Sequence, residues 1–144
     1  MLDLKEVRTS LEVGFASGDF PEKFLRYRGR AMRSLENCAE FPYEDAQFQV
    51  VMISPSVFSE ESIREVHRVL RDEGWLIFEF CEKEMLSKGY KSVPDIFSIV
   101  KSGFNIVEVE RSSWWQRLRG EGIVVVFAQK KRWRTAKVFQ RRYV

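Results

Sequence analysis

The sequence predicts an α/β fold: a mostly parallel sheet with helices between its strands and an antiparallel strand pair near the C-terminus. Three observations predict it. Strand-like and helix-like stretches alternate along most of the chain. Two runs, QVVMIS at 49–54 and WLIFEF at 75–80, are almost continuously apolar, as strands covered on both faces are. The last two strand-like stretches, NIVEVERS at 105–112 and IVVVFAQ at 123–129, adjoin through a connection without a helix-length apolar pattern, which implies antiparallel pairing.

The elements follow in order. Residues 8–13 read as a short strand that runs into the turn Gly14–Phe15–Ala16–Ser17–Gly18. Residues 19–28 read as a helix, with Asp19 near its start, Pro21 in its first turn, and Phe20, Phe24 and Leu25 as its buried face. RAMRSL at 30–35 is strand-like but ambiguous. Residues 60–72 carry the clearest helix pattern: Ser59 as N-cap, Phe58 stapled to Ile63, Ile63, Val66 and Leu70 on one face, and Gly74 as the stop. Pro94 and Asp95 open a further helix that carries Ile96, Phe97 and Val100 and stops at Gly103.

A chain of 144 residues holds one ordinary core. No apolar run is long enough to span a bilayer, and MLDLKEVRTS lacks the pattern of a signal peptide. Cys38 and Cys81 are the only cysteines and His67 the only histidine, so neither a structural metal site nor a disulfide framework is expected; a reducing, cytoplasmic setting is. The net charge of +3 is uneven. Lys130–Val144 carries seven basic residues and no acid, which leaves the first 129 residues at −4. This divides the chain into a domain over 1–131 and a basic tail over 132–144.

Four pieces, in this order, resemble class I S-adenosylmethionine-dependent methyltransferases, especially the small type 11 group. LEVGFASGDF resembles that family's first motif, an acid followed by a glycine-rich turn. NCAEFPYEDAQFQVVMIS, EVHRVLRDEGWLIFEF and the closing pair SGFNIVEVERS and GEGIVVVFAQKK resemble its later motifs. The resemblance spans roughly residues 8–131. It implies a Rossmann-like methyltransferase fold, S-adenosylmethionine as cofactor, and a cofactor site drawn from Glu12, Gly14, Ala16, Gly18, Asn37, Cys38 and Ser54. Residues that follow predicted strands meet at the carboxyl edge of such a sheet, where ligands bind.

The chain departs from the family at three points. Ala16 replaces the middle glycine of the turn. Asn37 stands where the family usually has an aspartate that accepts a hydrogen bond from the adenine amino group. The family's second strand, which ends in an acid that grips the ribose hydroxyls, and the helix after it have no room: about ten residues separate Arg28 from Cys38. Residues 29–38 are therefore expected to add at most one strand beside the first, in a sheet of about six. Glu36 is the nearby carboxylate, beside Asn37 rather than at the family position.

No catalytic residue is identified, because methyl transfer needs mainly an aligned acceptor and a sulfonium donor. His67, with no partner acid or nucleophile in the sequence, reads as a helix-surface residue. Cys38 and Cys81 read as buried small apolar residues. SPSVFS at 54–59 follows the strand where substrate and cofactor meet in the family. The pocket is expected to be open, since little sequence precedes the first strand and only CEKEMLSKGYKSV, 81–93, follows the strand at 75–80. A second copy, another protein or a macromolecular substrate would complete it, with Trp114 and Trp115 as anchors. Two other readings compete with an enzyme: a binding or regulatory module on an inactive methyltransferase scaffold, and an RNA-associated protein. The second would use the tail, where Trp133, Phe139 and Tyr143 interleave with Arg and Lys. The tail also suits an anionic membrane surface.

Overall fold

The computed structural model describes residues 7–15, 20–36, 39–81, 83, 89, 93–112 and 122–131. Six strands form one sheet in the order β2-β1-β3-β4-β6-β5. They are β1 (Thr9–Val13), β2 (Ala31–Leu35), β3 (Phe48–Ile53), β4 (Leu70–Cys81), β5 (Phe104–Arg111) and β6 (Ile123–Lys130). β2, β1, β3 and β4 run parallel, and β6 is antiparallel to both β4 and β5. The sheet is thus mostly parallel with an antiparallel C-terminal pair, and β2 lies directly beside β1 as the short spacing predicts.

Strand alternation sends side chains to two packed layers. Leu11, Val13, Val51, Ile53, Leu76, Phe78, Val124 and Val126 join one cluster with α1 (Glu60–Val69) and α2 (Val93–Lys101), which contribute Ile63, Val66, Val69, Ile96 and Val100. Val50, Met52, Ile77, Val125 and Phe127 face the other way and meet Phe24 and Tyr27. Burial on both faces is why β3 and β4 read as apolar runs.

The segment 19–28 differs from its expected helix. Glu22–Tyr27 is a 3₁₀ helix, entered by Phe24 N–H donating to the Pro21 carbonyl and left by Arg28 N–H donating to that of Leu25. Three residues per turn puts Phe24 and Tyr27 on one buried face. Leu25 falls off that face and is 47% exposed, not buried as the helical pattern suggested. Asp19 lies outside the described residues.

The expected helix 60–72 starts as predicted. Ser59 caps it in a reciprocal box with Ser62, and Phe58 and Ile63 are both buried. It ends three residues early, at Val69. The N–H groups of Ala46 and Gln47 take the carbonyls of Arg68 and Val69, and Leu70 turns extended to pair with Phe48. Gly74 is therefore not the stop. It lies within the long β4, where an added Cβ would sit 2.7 Å from the Arg71 carbonyl oxygen.

Candidate functional site

The strand order reverses between β1 and β3: from β1 the chain steps outward to β2, then crosses to the other side of β1. The carboxyl ends of β1, β2 and β3 thus border a topological switch point, where open α/β sheets bind ligands. Gly14, Glu36 and Ser54 follow these three strands. Backbone bonds draw them together: Gly14 N–H donates to Leu35 O at 2.7 Å, and Ser54 N–H to Val13 O at 2.8 Å.

Gly14 has φ +81°, a conformation that costs other residues. Its missing side chain also makes room. A Cβ there would meet Val57 Cγ2 at 2.6 Å and Ser54 Cβ at 3.2 Å. The bare side of Gly14 therefore faces the 3₁₀ turn Pro55–Val57 of the protein itself. Ser54 caps that turn, accepting from Ser56 N–H at 3.3 Å with the Ser56 hydroxyl at 2.9 Å.

Glu12 is buried one residue before Val13, on the sheet face opposite Leu11 and Val13. Its Oε1 accepts from Arg28 Nε at 2.7 Å, and its Oε2 from the Ser34 hydroxyl at 3.3 Å. The Arg28 guanidinium also lies over the Phe20 ring, 4.1 Å from its centre, and Phe20 meets Phe15 edge-on. The acid of the first motif thus braces the 3₁₀ helix against β1. Glu36 is exposed at the end of β2. Ala16, Gly18, Asn37 and Cys38 lie outside the described residues, as do Trp114, Trp115 and the tail 132–144. Cys81 is the last residue of β4 and is half-buried, not fully buried as expected.

A second constellation lies on α1, outside every motif named from the sequence. Glu65 and Arg68 of α1 clamp the segment before β3. Glu65 Oε1 accepts from Phe41 N–H at 2.8 Å, while Arg68 donates to the carbonyls of Phe41 and Tyr43 and to Asp45. The two side chains bond each other at 2.8 and 3.0 Å. Arg68 holds the Glu65 carboxyl below the usual carboxylate range. The signal was present in EVHRVL, where glutamate and arginine three apart share a helix face.

His67 is not on the helix surface. It is 4% exposed, packed edge-on to Phe104, and a Cβ on Gly103 would sit 2.8 Å from its ring. The turn after α2 covers it, a long-range contact that helical periodicity does not reveal. Burial, with Lys130 and Lys131 nearby, lowers its pKa to about 4, so the ring is neutral. Lys130 is itself buried, and its Nζ donates to the Leu70 carbonyl at 2.7 Å, just past the end of α1. Burial lowers its pKa.

Among the described residues, no three His, Cys, Asp or Glu side chains are grouped to hold a metal ion, and no helix is long and apolar enough to cross a membrane.

The sequence matches no protein-family model and no curated protein. The fold does match solved structures. The N-methyltransferase NodS of Bradyrhizobium japonicum WM9 is 14% identical with a TM-score of 0.66, over 89% of each chain. Its complex with S-adenosyl-L-homocysteine matches with the same score over 88% of this chain and 81% of that one. The 1,6-didemethyltoxoflavin-N1-methyltransferase of Burkholderia thailandensis, with 1,6-didemethyltoxoflavin and S-adenosylhomocysteine bound, is 15% identical with a TM-score of 0.63, over 89% of this chain and 73% of that one. A chain of the complex between the Haloferax volcanii Trm112 methyltransferase activator and its methyltransferase is 11% identical with a TM-score of 0.63, over 88% and 84%. The fold is a reduced, Rossmann-like class I S-adenosylmethionine-dependent methyltransferase fold.

Proposed function

We propose that this chain, whose fold is that of S-adenosylmethionine-dependent methyltransferases, binds S-adenosylmethionine at the switch point and transfers its methyl group to an acceptor. The observation that carries the reading is the convergence of Gly14, Glu36 and Ser54 at the carboxyl ends of three adjacent parallel strands. The residues fit the cofactor. Its place beside Asn37 sets Glu36 apart from the family position in the sequence, but β2 is the second strand and lies beside β1, so Glu36 directly after it offers an exposed carboxylate at the end of the strand that would correspond to the family's acid-bearing one. The short spacing that removes one strand–helix unit thus leaves this strand end in place. Asn37 and Cys38, next in the chain, would face the adenine, and Ala16 and Gly18 the methionine part.

The cofactor supplies an activated sulfonium methyl. The protein's part is to hold and orient. Ser54 and the turn after it shape the side where an acceptor would enter. A protein partner that completes the site, in a cytoplasmic setting, belongs to the same reading. It is supported by the existence of an activator complex for a protein of the same fold. The domain 1–131 would carry this chemistry without the tail 132–144.

One observation favours the rival reading, a binding module on an inactive scaffold: Val57 already occupies the bare side of Gly14, so packing alone explains that glycine. Isothermal titration with S-adenosylmethionine and S-adenosylhomocysteine separates the two. Saturable binding, weakened at least about tenfold in Glu36→Ala through loss of charged hydrogen bonds, supports the enzyme reading. No heat at millimolar ligand supports the module.

A further inference from the structure

The reduction of the fold leaves β2 as an edge strand, and that edge is basic. Arg26, Arg28, Arg30 and Arg33 fall within eight residues, with no lysine and no acid among them. Ala31, Met32, Arg33 and Ser34 are all exposed. Arg30 and Arg33 make no ion pair with any described residue. Arg8, also exposed, joins the band at its amino end, where its carbonyl accepts from Ala31 N–H at 2.8 Å. Glu12, on the adjoining strand, is buried and neutralises Arg28, which leaves Arg8, Arg26, Arg30 and Arg33 as the band's exposed cations. The exposed Glu36 closes it at the far end.

The geometry suits an extended phosphate chain. Arg30, in the bend that leads into β2, and Arg33, within the strand, are separated by two residues, at most about 10 Å of extended chain. Since Ala31 N–H donates inward to β1, strand alternation points the N–H groups of Met32, between the two arginines, and Ser34, just past Arg33, away from the sheet. Arginine pairs with phosphate oxygens in a planar fork, which lysine does not. The exposed large apolar side chains at the band are Met32 and, next to Arg26, Leu25, too few for insertion into a lipid surface. Arginine on an edge also discourages strand pairing between copies. That role explains charge on the strand but not Arg26 and Arg8 beside it.

We propose that the β2 edge binds the phosphodiester backbone of single-stranded nucleic acid. This surface is formed by a different part of the sequence from the basic tail and does not depend on cofactor binding. The test is fluorescence anisotropy of a short labelled oligouridylate titrated with the full chain over a range of salt concentrations. The same titration is run on Arg30→Gln/Arg33→Gln, whose exposed, unpaired positions leave the fold intact by circular dichroism, and on the tail variant Arg141→Ala/Arg142→Ala. The proposal expects binding that weakens with salt. The edge variant should lose at least about tenfold in affinity, with a log–log salt slope shallower by about 1.4 for two lost phosphate contacts. The tail variant should keep most of the wild-type affinity. Equal affinity and slope in wild type and edge variant would overturn it. So would no binding by the wild type at low salt, or binding to phosphatidylserine vesicles in place of oligouridylate.

Discussion

Arg28 Nε donates to Glu12 Oε1 at 2.7 Å, joining the end of the 3₁₀ helix to the strand that enters the glycine turn. The pair is lopsided: the Glu12 side chain is 3% exposed and that of Arg28 35%. A buried carboxylate that loses its cation keeps its desolvation cost without the compensation. Arg28→Met should therefore destabilise the protein by about 2 kcal/mol, less than a fully buried pair would lose because one partner is partly solvated. Adding Glu12→Gln should recover part of that loss. Urea melts of the two variants check this; a double variant less stable than the single would count against the pairing.

Gly14 and Val57 form a packing pair at the mouth of the proposed site. Gly14→Ala should cost about 2–4 kcal/mol, from the left-handed backbone together with the clash at Val57. Val57→Ala should relieve the steric part, so the double variant should be more stable than the sum of the two single effects allows. Strict additivity in thermal melts would mean that Val57 does not press on the turn.

Stability should fall as pH drops below neutral. Folding lowers the His67 pKa from 6.5 to about 4, so between those values the unfolded chain binds the proton first. The neutral ring's contribution is complete above pH 6.5 and is lost progressively toward pH 4, on the order of 3 kcal/mol in all. The lowered Glu65 carboxyl extends the loss to lower pH, since its contribution is present above its unfolded value of 4.5 and disappears as it protonates. His67→Gln should flatten the melting temperature between pH 6.5 and 4.5. An unchanged slope in that variant would contradict the assignment.

Arg68→Ala should release the segment 41–45 from α1. It removes charged hydrogen bonds to two backbone carbonyls and leaves Glu65 without its cation, a cost of about 2–3 kcal/mol. Hydrogen exchange at Phe41 and Tyr43 should speed up more than at Val51, in the core of β3. Equal acceleration at all three amides would show global loss of stability instead of a released clamp.

The sheet was legible in the sequence because its signals are local. Apolar runs marked β3 and β4, alternation marked β5, and the spacing from Arg28 to Asn37 limited β2 to one strand beside β1. The capping residue Ser59 was legible for the same reason. What stayed hidden depended on contacts between distant segments. His67 is buried by Gly103 and Phe104 from another helix–strand connection. Helix α1 stops at Val69 because Ala46 and Gln47 claim its last carbonyls. Glu36 reaches the switch point only because β2 pairs with β1, a matter of topology that its neighbour Asn37 does not disclose.

The proposed ligand site lies at the carboxyl ends of β1, β2 and β3. Amide chemical-shift mapping of the ¹⁵N-labelled protein titrated with S-adenosylhomocysteine tests that place directly. Binding there should give saturable shifts concentrated at Gly14, Phe15, Glu36 and Ser54, with little change at Arg8, Gln49 and Gly74 on the opposite edge of the sheet. Shifts confined to that opposite edge, or none at millimolar ligand, would contradict it.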